Sequence, residues 1–529
     1  MSPSRPYRDT AVAIGVGTAL GASFVDFRLF ALPWIAIAPL LAVVEQTRPH
    51  RAFGLGWLAG ASGIGLAFAW LVYAFRVFGG FPLPIAVLLY LPVVAVMGLQ
   101  LGLFAALVAW LGPLPLGLGP PLAFTAVEFL FPSLFPWRLA HSQYLVPTLL
   151  QSGELAGPAL LGFAIVWVNT AVLAAARAGR THADATSVSS SSAIVPPLSL
   201  AVVLVLFGAW RLEAVRTARA QAPALRVGVI QGNISIEHKG DRTFFGRNMD
   251  AYRDASRALA GGVDLLVWPE TVFQRRIVGA HARLDGNDDP FPGAPRPLLF
   301  GGLATTPGPG SLTHVHNSAF LRATDGRVLG RYDKRILVPF GEYMPFGDRF
   351  PRLRELSPAT SDFTAGGDPA LLTLDPGTRI GALICYEDVI PEPSRTAVAR
   401  GATLLVNLTN DAWYGDSAEP IQHQALAIWR AVETRRDLVR ATNTGLTSVI
   451  AATGEVIAEL PVFTSATLPA EVRLLHATTI YAAVGDAFAW TVVVATILAA
   501  MARREPAARP RASEPRRRSR RGNRVRAYR

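Results

Sequence analysis

Long apolar segments recur through the first two-fifths of the chain, near residues 10–26, 28–46, 53–76, 81–111, 118–135, 155–177 and 195–212, and once more at 478–501. Most approach the roughly 20 apolar residues that cross a bilayer, so the pattern predicts a multi-pass α-helical membrane domain of about eight spans. The segment at 118–135 is the weakest, being short, bounded by prolines and carrying Glu128, a residue tolerated in lipid only against a cavity or a partner.

Between the last two of these segments the texture changes. Short β-branched runs such as "LRVGVIQGN", "DLLVWPE", "RPLLFGGLAT", "RIGALICYE" and "ATLLVNLTN" read as buried strands. "EPSRTAVARGA" and "IQHQALAIWRAVETRRDLVRA" read as intervening helices, and hairpins are predicted to turn at Asp325-Gly326 and Thr453-Gly454. The chain therefore divides into a membrane domain at 1–212 with seven spans, an α/β domain at 213–477, an eighth span at 478–502 and a tail at 503–529.

Charge changes the picture in two ways. The formal net charge is +12, but twelve arginines against two glutamates lie in the tail from Arg503 onward. The rest of the chain is nearly neutral, and a tail of low complexity without a folded motif does not suggest a nucleic-acid partner; its simplest role is attraction to anionic lipid. Arginines at 5 and 8, 48 and 51, 177 and 180, and in the tail fall on one side of the membrane if there are eight spans. The positive-inside rule makes that side cytoplasmic and places 213–477 outside, although Arg211, Arg216 and Arg219 argue mildly the other way. The Ser-rich stretch "THADATSVSSSSA" reads as a flexible cytoplasmic loop.

Candidate chemistry sits at strand ends, where ligand sites of α/β sheets collect. "LLVWPE" delivers Glu270, "RYDKRILVPFGEY" delivers Lys334 and Glu342, and "GALICYED" delivers Cys385, the only cysteine. A lone cysteine is equally at home as a small core hydrophobe, and one cysteine excludes an intramolecular disulfide. Among fifty Lys and Arg residues only Lys239 and Lys334 are lysine, which makes a surviving lysine a candidate for a place where a planar guanidinium cannot replace a compact ammonium. Glu, Lys and Cys together supply a base, a fixed positive charge and a nucleophile. His314, His316 and His423 have no ligand partners at metal spacing and read as polar or supporting residues.

Trp268-Pro269-Glu270, Tyr332-Asp333-Lys334 running into "LVPFGEYMP", and Cys385-Tyr386-Glu387 resemble the nitrilase superfamily in order and spacing. With "VIQGNI", "HNSAF", "NLTNDAWYGDS", "QHQALAIWRAVETRRDLVRATNTG" and "FPW...SQ" at 135–143, the chain is closely similar to the apolipoprotein N-acyltransferases of the bacterial lipoprotein pathway. The resemblance implies an αββα sandwich carried on eight membrane helices and facing the periplasm, with both termini cytoplasmic. It implies Glu270 as general base, Lys334 as oxyanion stabiliser and Cys385 as nucleophile, supported by Glu342, Tyr386 and Glu387. Trp268, Asn317 and Trp413 match positions near the substrate. The implied reaction moves an acyl chain from a glycerophospholipid through a cysteine thioester onto a diacylglyceryl-apolipoprotein, with no cofactor and no metal, in a monomer of the inner membrane. Asp437 stands where the family commonly has proline. A membrane-tethered carbon-nitrogen hydrolase would share the three residues and pass the acyl group to water; a transporter or receptor with a binding domain would need no thiol.

Overall fold

The computed structural model describes residues 5–503 apart from 78, 134, 180–187, 236–242, 280, 309–312 and 357–359. Lys239, residues 181–187 of the Ser-rich stretch and the arginine-rich tail beyond Arg503 lie outside the described residues. The chain opens with α1 (Arg5–Val25) and two short helices, Pro33–Ala36 and Ala38–Val44. There follow α2 (Pro49–Ala67), α3 (Trp70–Val77), α4 (Leu83–Leu111), α5 (Gly119–Leu130), α6 (Gly153–Ala178) and α7 (Val188–Gln221). The rest of the Ser-rich stretch thus begins a helix, and α7 runs straight through the boundary expected at 212.

Among the described residues three helices are long and apolar enough to cross a membrane: Leu83–Leu111, Gly153–Ala178 and Ser192–Gln221. A fourth is added if α2 and α3, bent by 56° at their break, form one span. The other apolar segments are shorter: the expected span at 118–135 is a helix of 12 residues, and that at 478–502 is Ile480–Val484, a break at Gly485, and then Ala487–Ala502. Periodicity and hydropathy cannot locate these breaks, which arise at single positions such as Gly157 (φ +60) before Pro158.

Close backbone approach holds α1, α2 and α4 together. A methyl group at Gly60 of α2 would sit 2.5 Å from the Gly98 carbonyl oxygen of α4, and one at Gly21 of α1 would sit 2.5 Å from the Gly63 oxygen of α2. In lipid, where apolar side chains gain little by leaving their solvent, such small-residue contacts and buried polar ties supply the packing energy. Asn169 is such a tie: its oxygen accepts from the Ile37 and Ala38 amides at 2.9 Å each, and its nitrogen donates to the Pro33 and Ile165 carbonyls.

Two sheets follow. β1 (Ala224–Gln231), β2 (Leu265–Val267), β3 (Phe273–Val278), β4 (Leu298–Pro307), β5 (Thr313–Arg322), β6 (Val328–Asp333) and β13 (Ala466–Arg473) form one, in the order β13-β1-β2-β4-β5-β6 with β3 on β4. β7 (Leu372–Asp375), β8 (Thr378–Ile384), β9 (Leu404–Thr409), β10 (Leu438–Thr442), β11 (Ser448–Ile450) and β12 (Val456–Glu459) form the other. β5 and β6 make the antiparallel pair that turns at Asp325-Gly326, and β11 and β12 the pair that turns at Thr453-Gly454. Their inner faces meet in one apolar layer that includes Val227, Val267, Leu321, Ile380, Val406 and Val439. Helix α8 (Phe245–Leu259) covers the first sheet; α9 (Pro391–Ala399) and α10 (Glu419–Thr434) cover the second. This is the αββα sandwich.

The sandwich is docked on the membrane helices through α10, where every residue but Ile421 is buried. Its amphipathic sequence predicts a helix with one wet face; both faces are covered because the membrane helices lie on the second. Glu154 of α6 accepts from Arg435 at 2.8 Å and from Arg211 of α7 at 2.6 Å. Arg216 pairs with Glu455, and Arg219 pairs with Asp437 at 2.8 Å. The three arginines that argued against the predicted orientation are docking residues. Asp437 also accepts from the Ala452 and Arg473 amides, so an aspartate at this position anchors α7.

Gly60→Ala should lower the thermal midpoint of the detergent-solubilised protein by several degrees, a strain of about 1–3 kcal/mol. Gly54→Ala, with nothing within 4 Å of the added methyl, should leave it unchanged; equal midpoints for the two variants would contradict the packing account.

Candidate active site

Glu270 follows β2, Lys334 follows β6 and Cys385 follows β8, so the two sheets bring three strand ends to one place. The Glu270 turn presses on β4: a Cβ at Gly301 would lie 2.5 Å from the Pro269 oxygen and 2.6 Å from the Glu270 Cα. Only glycine lets that backbone pass. Cys385 opens a short 3-10 turn, Cys385–Val389, with φ +51, a left-handed conformation that a side chain rarely adopts. The turn swings the thiol off the strand axis, and the cost is met by its surroundings: the Asn407 amide donates to the Cys385 carbonyl at 3.1 Å.

Lys334 is 1 % exposed. Its Nζ lies 2.8 Å from Glu342 Oε2 and 3.8 Å from Glu270 Oε1. Asn317 joins the two carboxylates, donating to Glu270 Oε1 at 2.7 Å and to Glu342 Oε1 at 3.0 Å, and its own carbonyl accepts from the Lys334 amide at 2.8 Å. Burial pulls the ammonium down, while a thiolate at Cys385, whenever it forms, and the Glu342 and Glu270 carboxylates push it up and outweigh burial. Burial pushes the Cys385 thiol well above its ordinary value and Glu270 pushes the same way, while Lys334 opposes them. The resting sulfur is therefore protonated and needs a base beside it.

Glu387 fastens the lysine segment to the cysteine turn. Its Oε1 accepts from the Tyr332 hydroxyl at 2.8 Å, the Arg335 amide at 2.8 Å and the Ile336 amide at 3.1 Å; its Oε2 accepts from the Ile384 amide at 2.8 Å. Burial pushes its pKa up, yet four donors favour the carboxylate. Tyr386 points the other way, its ring 6.2 Å from that of Phe135, and burial pushes its phenol up to about 12.

This geometry belongs to a chain with named relatives. Residues 16–171 match the apolipoprotein N-acyltransferase N-terminal domain and residues 296–480 match the carbon-nitrogen hydrolase family. An apolipoprotein N-acyltransferase of Geobacter metallireducens is 35% identical over 518 residues, covering 94% of this chain and 96% of that one. One from Azotobacter vinelandii is 31% identical over 488 residues, covering 89% and 90%. The chain belongs to the apolipoprotein N-acyltransferase family.

For an N-acyltransferase family member, two of the sequence expectations need correction. Trp268 is not exposed at all: its indole donates to Ser256 at 2.9 Å and stacks 5.9 Å from Phe291 in the apolar layer under α8, so in this structure it supports the Glu270 turn from behind. His423 does have carboxylates at ligand distance, since it, Asp411 and Glu419 carry atoms within 4.8 Å of one another. The three come from a loop and a helix brought together by folding, a proximity no local spacing reveals. Both ring nitrogens are taken, Nε2 by Asp388 at 2.8 Å and Nδ1 by Asp411 at 3.1 Å. Burial pulls His423 down, but Asp388 and Asp411 outweigh it and carry it up to about 10. In the ligand-free structure the set is held together as an ion-pair cluster. Trp413 lies half-buried in the turn Asp411–Tyr414, whose Tyr414 ring is 4.9 Å from Trp70 of α3.

The folded protein holds the His423 proton more tightly than the unfolded chain, whose histidine titrates near 6.5. That stability is fully present below pH 6.5 and is lost as pH rises towards 10, up to about 5 kcal/mol. Denaturation of wild type against His423→Gln across this range should show the slope in the first and not in the second; parallel curves would remove the imidazolium.

Proposed function

We propose that the protein transfers an acyl chain from a glycerophospholipid to the α-amine of the diacylglyceryl-cysteine that begins an apolipoprotein. The observation that carries the reading is the buried Glu270–Asn317–Glu342–Lys334 charge frame beside Cys385 in a chain of this family.

Glu270 takes the thiol proton as the sulfur attacks the ester carbonyl. The tetrahedral oxyanion forms against the Lys334 ammonium, which has three donors and one short partner in Glu342. Collapse expels the lysophospholipid alkoxide, which takes the proton back from Glu270 and leaves a thioester. The acceptor amine then attacks the thioester and gives a proton to Glu270. The thiolate leaves and is reprotonated, and the product is an amide. Glu342 holds the ammonium, and Glu387 and Tyr386 set the turn that carries the thiol. Asn317 and Trp413 border the space the substrates enter.

The remaining apolar helices complete eight crossings of the bacterial inner membrane, with the sandwich on the periplasmic side, both termini in the cytoplasm and the protein acting as a monomer. The docking of α10 against the membrane helices supports a lipid donor, because it brings the Cys385 turn within ring contact of Phe135 in the membrane domain. A hydrolase would pass the same thioester to water.

Purified protein is mixed with phospholipid labelled in its acyl chain, with and without a diacylated peptide. A hydroxylamine-sensitive label should appear on the wild type, move to the peptide when it is added, and be missing from Cys385→Ala. Lys334→Arg should reduce turnover about 10² to 10³-fold, because a larger planar cation displaces the intermediate. Label lost to water at the same rate with and without peptide would favour the hydrolase; label on Cys385→Ala would end the assignment of the nucleophile.

A further inference from the structure

One buried side chain of α10 gives both its polar atoms to the membrane helices. Gln422 is 3 % exposed. Its Nε2 donates to the Phe24 carbonyl at 3.0 Å and to the Ala67 carbonyl at 2.9 Å, and its Oε1 accepts from the Trp70 indole at 3.0 Å. Phe24 lies in the last turn of α1, Ala67 ends α2 and Trp70 opens α3.

Both carbonyls are left over at a helix end. The Arg28 amide, which would continue α1 onto Phe24, donates instead to Asp26 Oδ1 at 3.0 Å, and the Leu71 amide, which would continue α2 onto Ala67, donates to the Phe68 carbonyl at 3.0 Å. A buried carbonyl needs a donor, all the more among membrane helices, and an amide side chain has two protons, one for each. Gln422 thereby ties the 56° break between α2 and α3 to the catalytic domain.

The break is linked to the nucleophile turn. The Trp70 ring lies 4.9 Å from Tyr414 and 5.7 Å from Phe135, and Phe135 lies 6.2 Å from Tyr386, the residue after Cys385. Phe135, Tyr386 and Tyr414 are only half-buried, so this aromatic wall keeps open ring surface. Phe24 and Ala67 also line a mostly apolar cavity with Phe124 and Trp137, in which Gln100 and Glu128 are polar members. His423, the next residue of α10, grips the turn itself through Asp388 at 2.8 Å. Adjacent residues of one helix thus hold the membrane-side wall and the thiol-side turn.

We propose that Gln422 is a positioning residue for the acyl donor: by holding the ends of α1 and α2 and the ring of Trp70, it keeps the aromatic wall in register with the Cys385 turn, so that a long acyl chain lying on the wall presents its ester to the sulfur. This rests on the acyl-transfer reading above. Gln422 acts on the chain of the donor and leaves the thiol chemistry alone, whereas Asp388 acts on the turn and so on every donor.

Two donors separate these roles in the full-length protein in detergent. One is a phospholipid with a labelled palmitoyl chain in mixed micelles. The other is 4-nitrophenyl acetate, whose acetyl group has no chain to lie on the wall; attack by Cys385 forms the acetyl thioester and releases 4-nitrophenolate as a burst, taken as the part absent from Cys385→Ala. Acylation rates are measured against donor concentration for wild type, Gln422→Leu, Trp70→Phe and Asp388→Asn, with a thermal midpoint for each. Gln422→Leu should slow acylation by the phospholipid by about 10- to 10²-fold and leave the acetate burst unchanged. Trp70→Phe keeps a ring and loses one of the three bonds, so it should show the same selectivity with a smaller loss, and it carries the test should Gln422→Leu not fold. Asp388→Asn should slow both donors alike. Equal slowing of both donors in Gln422→Leu or Trp70→Phe, a phospholipid rate unchanged in either, or an Asp388→Asn protein slowed with the phospholipid alone overturns the proposal. An unlabelled wild type would instead end the acyl-transfer reading, a result distinct from a labelled wild type matched by its variants.

Discussion

A buried ammonium can stay charged only where carboxylates surround it, and this protein is arranged around one. Lys334 sits in the sandwich with Glu342 at 2.8 Å and Glu270 at 3.8 Å, and Asn317 spans the two carboxylates so that neither can turn away. The same charge that Glu270 and Glu342 stabilise on the lysine opposes their effect on the sulfur. The frame therefore sets the position of a positive charge and the protonation of the thiol together.

Everything around the frame keeps it in register. Gly301 lets the Glu270 turn cross β4, Glu387 ties the backbone after Lys334 to the backbone before Cys385, and the left-handed turn at Cys385 is held by Asn407. The sandwich is in turn fixed to the membrane helices by Arg435 and Arg211 on Glu154 and by Arg219 on Asp437. Each of these three arginines has a carboxylate partner at 2.6 to 2.8 Å, which offsets the cost of drawing charge into such an interface.

The strand ends were legible in the sequence because each is a local string: an apolar run followed by the residue it delivers. Glu270, Lys334, Glu342 and Cys385 needed no knowledge of what lay opposite. Asn317 was placed near the site but its bridging of two carboxylates was not visible, since its partners come 47 residues before and 25 residues after it. His423 was read as a polar or supporting residue, but its carboxylate partners Asp388 and Asp411 come together with it only across the fold. Trp268 was misplaced because a motif fixes sequence position, while strand alternation sends its side chain to the opposite face from the site. The apolar character of the membrane domain was legible, but the lengths of its helices were not: three or four among the described residues are long enough to cross a membrane, and a bend such as the 56° one after Ala67 leaves hydropathy unchanged.

The central claim is that the carboxylate frame, by fixing Lys334, governs the attack by Cys385. Glu342→Gln tests it most directly, since the amide keeps the shape and removes the charge 2.8 Å from Nζ. In a single-turnover mixture of enzyme and phospholipid without acceptor, released lysophospholipid is followed by mass spectrometry. The account predicts one equivalent released per Cys385, with the rate in the folded Gln variant lower by about 10²-fold. An unchanged rate of lysophospholipid release in a folded Glu342→Gln protein would contradict it.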